Sequence, residues 1–172
     1  GNYKIEERNL VSAKFNDNHL YGLNEVVVHS GAYAQLMRYR LNVNDKVVYE
    51  QRSDGLIIAT PTGSTAYSLS CGGPILKPDV EALLLVPICP HSLNDRPMVV
   101  PSSSEITLRY DSEQNVSAGI DLDGDTVSEL KMGDNLLIKK AEKSICLIHP
   151  ENYDYFDNLK SKLLWGKDKR HE

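Results

Sequence analysis

Leu56-Ile57-Ile58-Ala59-Thr60-Pro61-Thr62-Gly63-Ser64-Thr65-Ala66-Tyr67-Ser68-Leu69-Ser70 is the stretch on which the reading of this chain turns. Its first four residues form an unbroken apolar run, the pattern of a strand buried on both faces. Hydroxyl side chains then gather around Pro61 and Gly63, and Thr65 to Cys71 is able to form one or two helical turns. Strand, polar loop and helix start put hydroxyls, backbone N–H groups and a helix N-terminus in one place, which suits a polar, anionic or nucleotide ligand. Tyr67 offers its ring to a planar base. Asp54, ahead of the strand, offers a carboxylate to an amide or amino group. On composition alone the plainer reading is favoured, in which Thr, Ser and Gly build a turn and cap a helix. Two better-known motifs are excluded. No Gly-Lys-Ser/Thr follows Gly63, so this is not a P-loop. Gly63-Ser64-Thr65-Ala66-Tyr67 lacks the G-x-S-x-G pattern of a nucleophile elbow.

Outward from this stretch, short runs rich in Val, Ile, Leu and Tyr recur between Gly, Pro, Asn and Asp. They predict strands over Asn9–Phe15, Leu23–His29, Gln35–Asn42, Lys46–Gln51, Leu56–Thr60, Leu83–Pro87 and Met98–Val100. Further strands are predicted over Glu105–Tyr110, Val116–Leu122, Asn135–Lys140 and Ser144–Ile148. Asn44-Asp45 reads as a hairpin turn. Many short strands at this spacing predict a mainly β fold, a sandwich or barrel, with few helices. A short helix is expected over Pro78–Leu84. A C-terminal helix is expected after Asn152 or Asp154, with Tyr155, Phe156, Leu159, Leu163 and Leu164 on one face and Gly166 as its stop. The 172 residues fit a single domain, residues 1–172.

A net charge of −5 argues against a sequence-independent nucleic-acid footprint. No apolar run is long enough for a membrane helix. Cys71, Cys89 and Cys146 are odd in number and widely spaced, which fits neither a disulfide frame nor a zinc site and points to a reducing cytoplasm. Asp121-Leu122-Asp123-Gly124-Asp125 fails as a calcium loop, because Gly falls at its fourth position and Met132 at its twelfth; it reads as a turn. The histidines show no H-E-x-x-H pattern, so no metal site is predicted. Asn24-Glu25 heads the apolar run Val26-Val27-Val28, where two polar residues are able to hold ribose hydroxyls; by pattern alone, a solvated strand end is favoured.

Together these segments resemble the bacterial NAD kinases. The likeness is carried by Leu23-Asn24-Glu25-Val26-Val27, Arg52-Ser53-Asp54-Gly55-Leu56-Ile57-Ile58, Thr60 to Ser70, Gly72-Gly73-Pro74-Ile75, Pro90-His91-Ser92-Leu93 with Arg96-Pro97, and His149 to Phe156. The resemblance implies the two-sheet, sandwich-like C-terminal domain of a two-domain enzyme, with short helices and a C-terminal helix. That enzyme uses ATP and Mg²⁺ to phosphorylate the adenosine ribose 2′-hydroxyl of NAD, giving NADP. Its general-base aspartate belongs to a Gly-Gly-Asp-Gly-Thr motif that this sequence lacks, since Pro74 follows Gly72-Gly73; the motif is expected upstream of Gly1, and this chain alone is expected to be inactive. Carried over by position, Asn24 and Glu25 hold the ribose, Thr62, Thr65 and Ala66 frame the adenine, and Tyr67 packs beside the nucleoside. Asp54 and Ser70 meet the nicotinamide part, Ser68 and Leu69 complete the loop, and Arg52 supports the phosphates. The family implies dimers or tetramers with a pocket shared between subunits. Gln35, where close relatives often have histidine, and Asp125, where many have glutamine, are departures. Two other readings stay open: a related lipid or diacylglycerol-type kinase domain, and a non-catalytic nucleotide-binding or assembly module.

Overall fold

A computed structural model describes residues 1–31, 36–92, 94–112 and 117–164. Gln35, the strand residue Val116 and the helix stop Gly166 lie outside these residues. The chain divides into two compact units, Arg8–Ile145 and Gly1–Glu7 with Cys146–Glu172.

Strands β1 (Tyr3–Phe15), β2 (Asn18–Gly22), β3 (Glu25–Ser30), β4 (Met37–Val43), β5 (Lys46–Ser53) and β6 (Gly55–Ala59) come first. A 3₁₀ turn (Gly63–Thr65) and helix α1 (Tyr67–Ser70) follow β6. Then come β7 (Ala82–Ile88), β8 (Met98–Pro101), β9 (Ile106–Tyr110), β10 (Ala118–Leu122), β11 (Asp125–Leu130), β12 (Asn135–Pro150) and helix α2 (Tyr155–Leu163). They form two six-stranded sheets, ordered β2-β1-β12-β9-β4-β5 and β11-β10-β3-β6-β7-β8. The predicted Asn44-Asp45 hairpin joins β4 to β5, with φ of 50° and 64° at its two central residues.

In the unit Arg8–Ile145, alternate residues of each strand point to a shared interior. Val26 and Val28 of β3, Leu56 and Ile58 of β6, and Leu83 and Leu85 of β7 meet Val11, Tyr39, Leu41, Leu108 and Ile138 of the first sheet. The intervening residues of β3, β6 and β7 point outward. Yet Val27, Ile57, Ala59, Leu84, Val86 and Ile88 are buried as a second cluster, with Cys71 and Leu76 packed against it. The middle of the second sheet is therefore covered on both faces, which is why its strands read as continuous apolar runs.

Three expectations need correction. Pro78–Leu84 is not a helix: Lys77–Val80 makes a turn, and the chain is extended from Ala82. All of β7 is buried between β6 and β8, and that burial outweighs any local helical pattern. Asn135–Lys140 and Ser144–Ile148 are one continuous strand, β12. Strands β2 and β11 are additions to the expected set, because each is the edge of its sheet and presents polar, exposed residues such as Asn18, His19 and Thr126.

In the unit Gly1–Glu7 with Cys146–Glu172, His149 stacks on Tyr153 at 3.9 Å and its Nε2 lies 3.1 Å from a Glu6 carboxylate oxygen. Asp154 caps α2 by accepting from the Asp157 N–H at 3.0 Å. The helix ends with Leu164 in the left-handed region, earlier than Gly166 implied. Of its expected apolar face only Leu159 is buried; Phe156, Leu163 and Leu164 are exposed.

Ile58 sits at the centre of the shared interior with no exposed surface. Ile58→Ala is expected to lower unfolding stability by about 2–5 kcal/mol, read as a lower urea midpoint at unchanged slope.

Candidate functional site

The register of the second sheet brings three distant segments to one end. Glu25, the first residue of β3, pairs with Ala59, the last of β6. Leu122, the last of β10, pairs with Val26. The chain entering β3, the loop leaving β6 and the β10–β11 turn are thus neighbours.

The loop is locked onto the Leu23–Glu25 segment. The Thr60 N–H donates to the Asn24 carbonyl at 2.8 Å, and the Thr60 hydroxyl donates to the Leu23 carbonyl at 2.6 Å. The same hydroxyl oxygen accepts from the Gly63 N–H at 3.1 Å. Gly63 lies so close that a Cβ there would stand 2.1 Å from the Asn24 carbonyl oxygen. No larger residue fits without moving the loop. Ser64, fully buried, donates to the Pro61 carbonyl at 2.6 Å and accepts from the Leu76 N–H at 3.0 Å. The Arg8 guanidinium, buried on β1, reaches the Thr62 hydroxyl at 3.4 Å.

The β10–β11 turn clasps the segment from its other side. The Asp123 carboxylate accepts from the N–H groups of Leu23, Asn24 and Glu25 at 2.6, 2.7 and 3.0 Å. The Asp123 N–H returns a bond to the Glu25 carbonyl at 3.1 Å. Sequence reading makes Asp123 no more than part of a turn. That turn is visible locally as Asp-Gly, but a reach across 100 positions to Leu23 leaves no local signal.

Glu25 is buried, and its Oε2 has no hydrogen-bond partner among the described residues. Burial, with the Asp123 charge adding to it, pushes its carboxyl up to about 7. Such an acceptor awaits a donor, and a ribose hydroxyl is one.

After Gly63 the chain covers the outward cluster of the second sheet through Cys71 and Leu76. Tyr67 remains 45% exposed. Burial raises its hydroxyl above the ordinary phenol range, with Cys71 next and Cys89 and Asp54 adding their influence. Asp54 is exposed at the opposite end of β6 from Thr60, its backbone bonded to Ser30 and Ile88. The six residue steps along β6 from Asp54 to Thr60 set the two roughly 20 Å apart. Thr62, Thr65, Ala66 and Leu69 are half-buried along the loop, and Ser70 is exposed. Ser68 is fully buried with its hydroxyl turned to Gly73, where a Cβ would stand 2.3 Å away. Asp125 is exposed at the start of β11, two residues past the clasp. Arg52 is not gathered with the loop. It lines an open cleft of about 500 Å³ with Arg38, Glu50, Gln51, His91, Ser92 and Asp95.

A hydroxyl-lined loop locked onto the backbone that leads to a buried carboxyl oxygen, partnerless among the described residues, is an arrangement suited to a polar ligand on a two-sheet β domain. Residues 23–150 match the model of the ATP-NAD kinase C-terminal domain, and the chain belongs to that family. NAD kinases of Buchnera aphidicola and Pectobacterium atrosepticum are 44% and 45% identical to it, each over 97% of this chain and 59% of the relative. The chain thus spans about three fifths of the length of these curated relatives. The crystal structure of yeast NADH kinase complexed with NADH superposes with a TM-score of 0.90 at 29% identity, covering 99% of this chain and 51% of that one. An NAD kinase from Archaeoglobus fulgidus in complex with ATP gives 0.80 at 29% identity, covering 94% and 61%. These matches lend no support to the lipid-kinase alternative.

The raised Glu25 carboxyl has a consequence for stability. It binds a proton in the folded state between pH 4.5 and about 7, where the unfolded chain does not. Its contribution is therefore fully present below pH 4.5 and is lost as pH rises through 7. Denaturant titrations are expected to show Glu25→Gln removing about 1–3 kcal/mol of pH dependence across that window. An identical stability–pH slope in both proteins would refute the buried-acid assignment.

Proposed function

We propose that this chain is the NAD-binding part of an ATP-dependent NAD kinase, which transfers the γ-phosphoryl group of ATP to the adenosine ribose 2′-hydroxyl of NAD. The observation that carries the reading is the buried Glu25 carboxyl, whose Oε2 has no partner among the described residues, next to Asn24, whose backbone the Thr60–Gly63 loop grips.

In this reading Asn24 and Glu25 take the ribose hydroxyls. Thr62, Thr65 and Ala66 border the adenine, and the exposed Tyr67 ring packs on the nucleoside. Ser70 and Leu69 continue the wall, and Ser68 shapes it from within. Asp54, at the far end of β6, meets the nicotinamide end, or that of a neighbouring subunit's ligand in a pocket shared within a dimer or tetramer. Arg52 acts toward the phosphates from the cleft it lines, apart from the loop, and Asp125 borders the ribose end. Chemistry of this class is mostly positioning and charge neutralisation. A magnesium ion, when bound with the nucleotide, would supply charge neutralisation on its phosphates. Among the described residues no group of three or more His, Cys, Asp or Glu side chains is placed to hold a metal. The general base belongs to the part of the relatives' length that this chain does not span. Three free cysteines accord with a reducing, cytoplasmic setting. No helix among the described residues is long and apolar enough to cross a membrane.

Calorimetric titration of the purified chain with NAD tests the reading. Binding is expected, without NADP formation when ATP and Mg²⁺ are added. Asp54→Asn and Tyr67→Ala are each expected to weaken binding about tenfold with an unchanged melting temperature, since both side chains are exposed. A chain that binds no NAD, or a Tyr67→Ala variant that unfolds instead of losing affinity, contradicts it.

A further inference from the structure

We propose that Asp123 is a positioning residue for the nucleotide: by collecting three consecutive backbone N–H groups, it sets the edge from which Asn24 and Glu25 meet the ribose. This rests on the reading of the site as NAD-binding.

The β10–β11 hairpin does not need a carboxylate. Its two central residues, Asp123 and Gly124, have φ of 50° and 95°, and an Asn-Gly pair satisfies that turn equally well. What distinguishes aspartate is two acceptor oxygens with no donor between them. Oδ2 takes the Leu23 N–H, and Oδ1 takes those of Asn24 and Glu25. An asparagine in the same place turns an NH₂ group toward at least one of these donors. That leaves a donor facing a donor, while the turn survives.

Leu23 and Asn24 lie between the end of β2 at Gly22 and the start of β3 at Glu25, where sheet pairing does not hold them. Asp123 binds the N–H groups of Leu23 and Asn24, and Thr60 binds their carbonyls. Both edges of the segment are thereby fixed, and Gly63 closes against the backbone of Asn24. Gly22 is crowded too, though less tightly, since a Cβ there would stand 2.9 Å from the Leu122 side chain and 3.1 Å from Asp123 Oδ1. The peptide planes of Leu23 and Asn24 therefore have one available orientation, and the Asn24 and Glu25 side chains leave from it. Asp123 offers the ribose no atom of its own in this account. It acts through the two residues that do.

The test is calorimetric titration of the purified chain with NAD, beside backbone amide spectra by NMR. Asp123→Asn keeps the turn and is the informative variant. Glu129→Gln, on the exposed face of β11, controls for the lost charge. Asp123→Asn is expected to weaken NAD binding about tenfold or more, consistent with loss of charge-assisted hydrogen bonds. The amide resonances of Leu23, Asn24 and Glu25 should move while those of the β6 and β7 core stay in place. Glu129→Gln is expected to bind as the parent does; an equal loss of affinity there overturns the proposal in favour of a general effect of charge. NAD binding by Asp123→Asn equal to the parent's overturns the positioning role and leaves the NAD-binding reading standing. Failure of the parent to bind NAD overturns that reading and this proposal with it. An unfolded Asp123→Asn spectrum also overturns the proposal, making Asp123 a residue of folding alone.

Discussion

The contact between Gly63 and the backbone of Asn24 constrains everything else at this site. Two chain segments separated by most of β3 to β6 meet there at a distance that excludes any side chain on Gly63. Thr60 completes the joint with one hydroxyl used twice, donating to Leu23 and accepting from Gly63, while its amide holds Asn24. The loop and the Asn24-Glu25 pair consequently behave as one body. A ligand meeting one meets the other in a fixed relation, and little ordering remains to be done when it binds.

That joint is possible because of the sheet beneath it. In the β10-β3-β6 arrangement, antiparallel register sets the start of β3 beside the ends of β6 and β10. Two apolar clusters, one on each face, hold β3, β6 and β7 so that their ends do not shift. The outward cluster has a further effect. It draws Cys71 and Leu76 down onto the sheet, so the chain beyond Gly63 follows the surface of the sheet instead of leaving it. Tyr67 comes within electrostatic reach of Asp54, a residue from the other end of β6.

How much of this was legible in the sequence depended on whether the signal was local. The mainly β class could be read because alternating and continuous apolar runs report burial directly, as Leu56–Ala59 and Val26–Val28 do, whereas the choice of a two-sheet sandwich over a barrel came from the family resemblance. β2 and β11 could not, since an edge strand buries little and its pattern is diluted by exposed polar residues. Pro78–Leu84 misled because leucines suit a helix as well as a strand, and only the neighbours β6 and β8 decide between them. At the site, the loop and the Asn24-Glu25 pair were recognisable as motifs. Their meeting was not, because it depends on register. Asp123 and Arg8 were missed for the same reason: one sits in an ordinary-looking turn, the other within a strand, and each acts on a segment far away in sequence.

The hydrogen-bond pattern also bears on what kind of ligand the loop suits. From composition, its backbone N–H groups looked available to cradle an anion. In the folded chain those of Thr60, Gly63, Ser64, Ala66, Leu69, Cys71, Gly72 and Gly73 donate to the chain's own oxygens. Those of Leu23, Asn24 and Glu25 are taken by Asp123. Helix α1 has only four residues, too short to gather much of a dipole at its N-terminus. A phosphate-cradling loop keeps its amides for the phosphate. This one uses many of them to hold its own shape, and the Asp123 carboxylate adds negative charge beside it. The physical character is that of a rigid, hydroxyl-edged wall with an aromatic ring and a buried acid, which favours the sugar and base of a nucleotide over its phosphates. Arg52, to which the proposed reading gives the phosphates, lines a cleft apart from the loop.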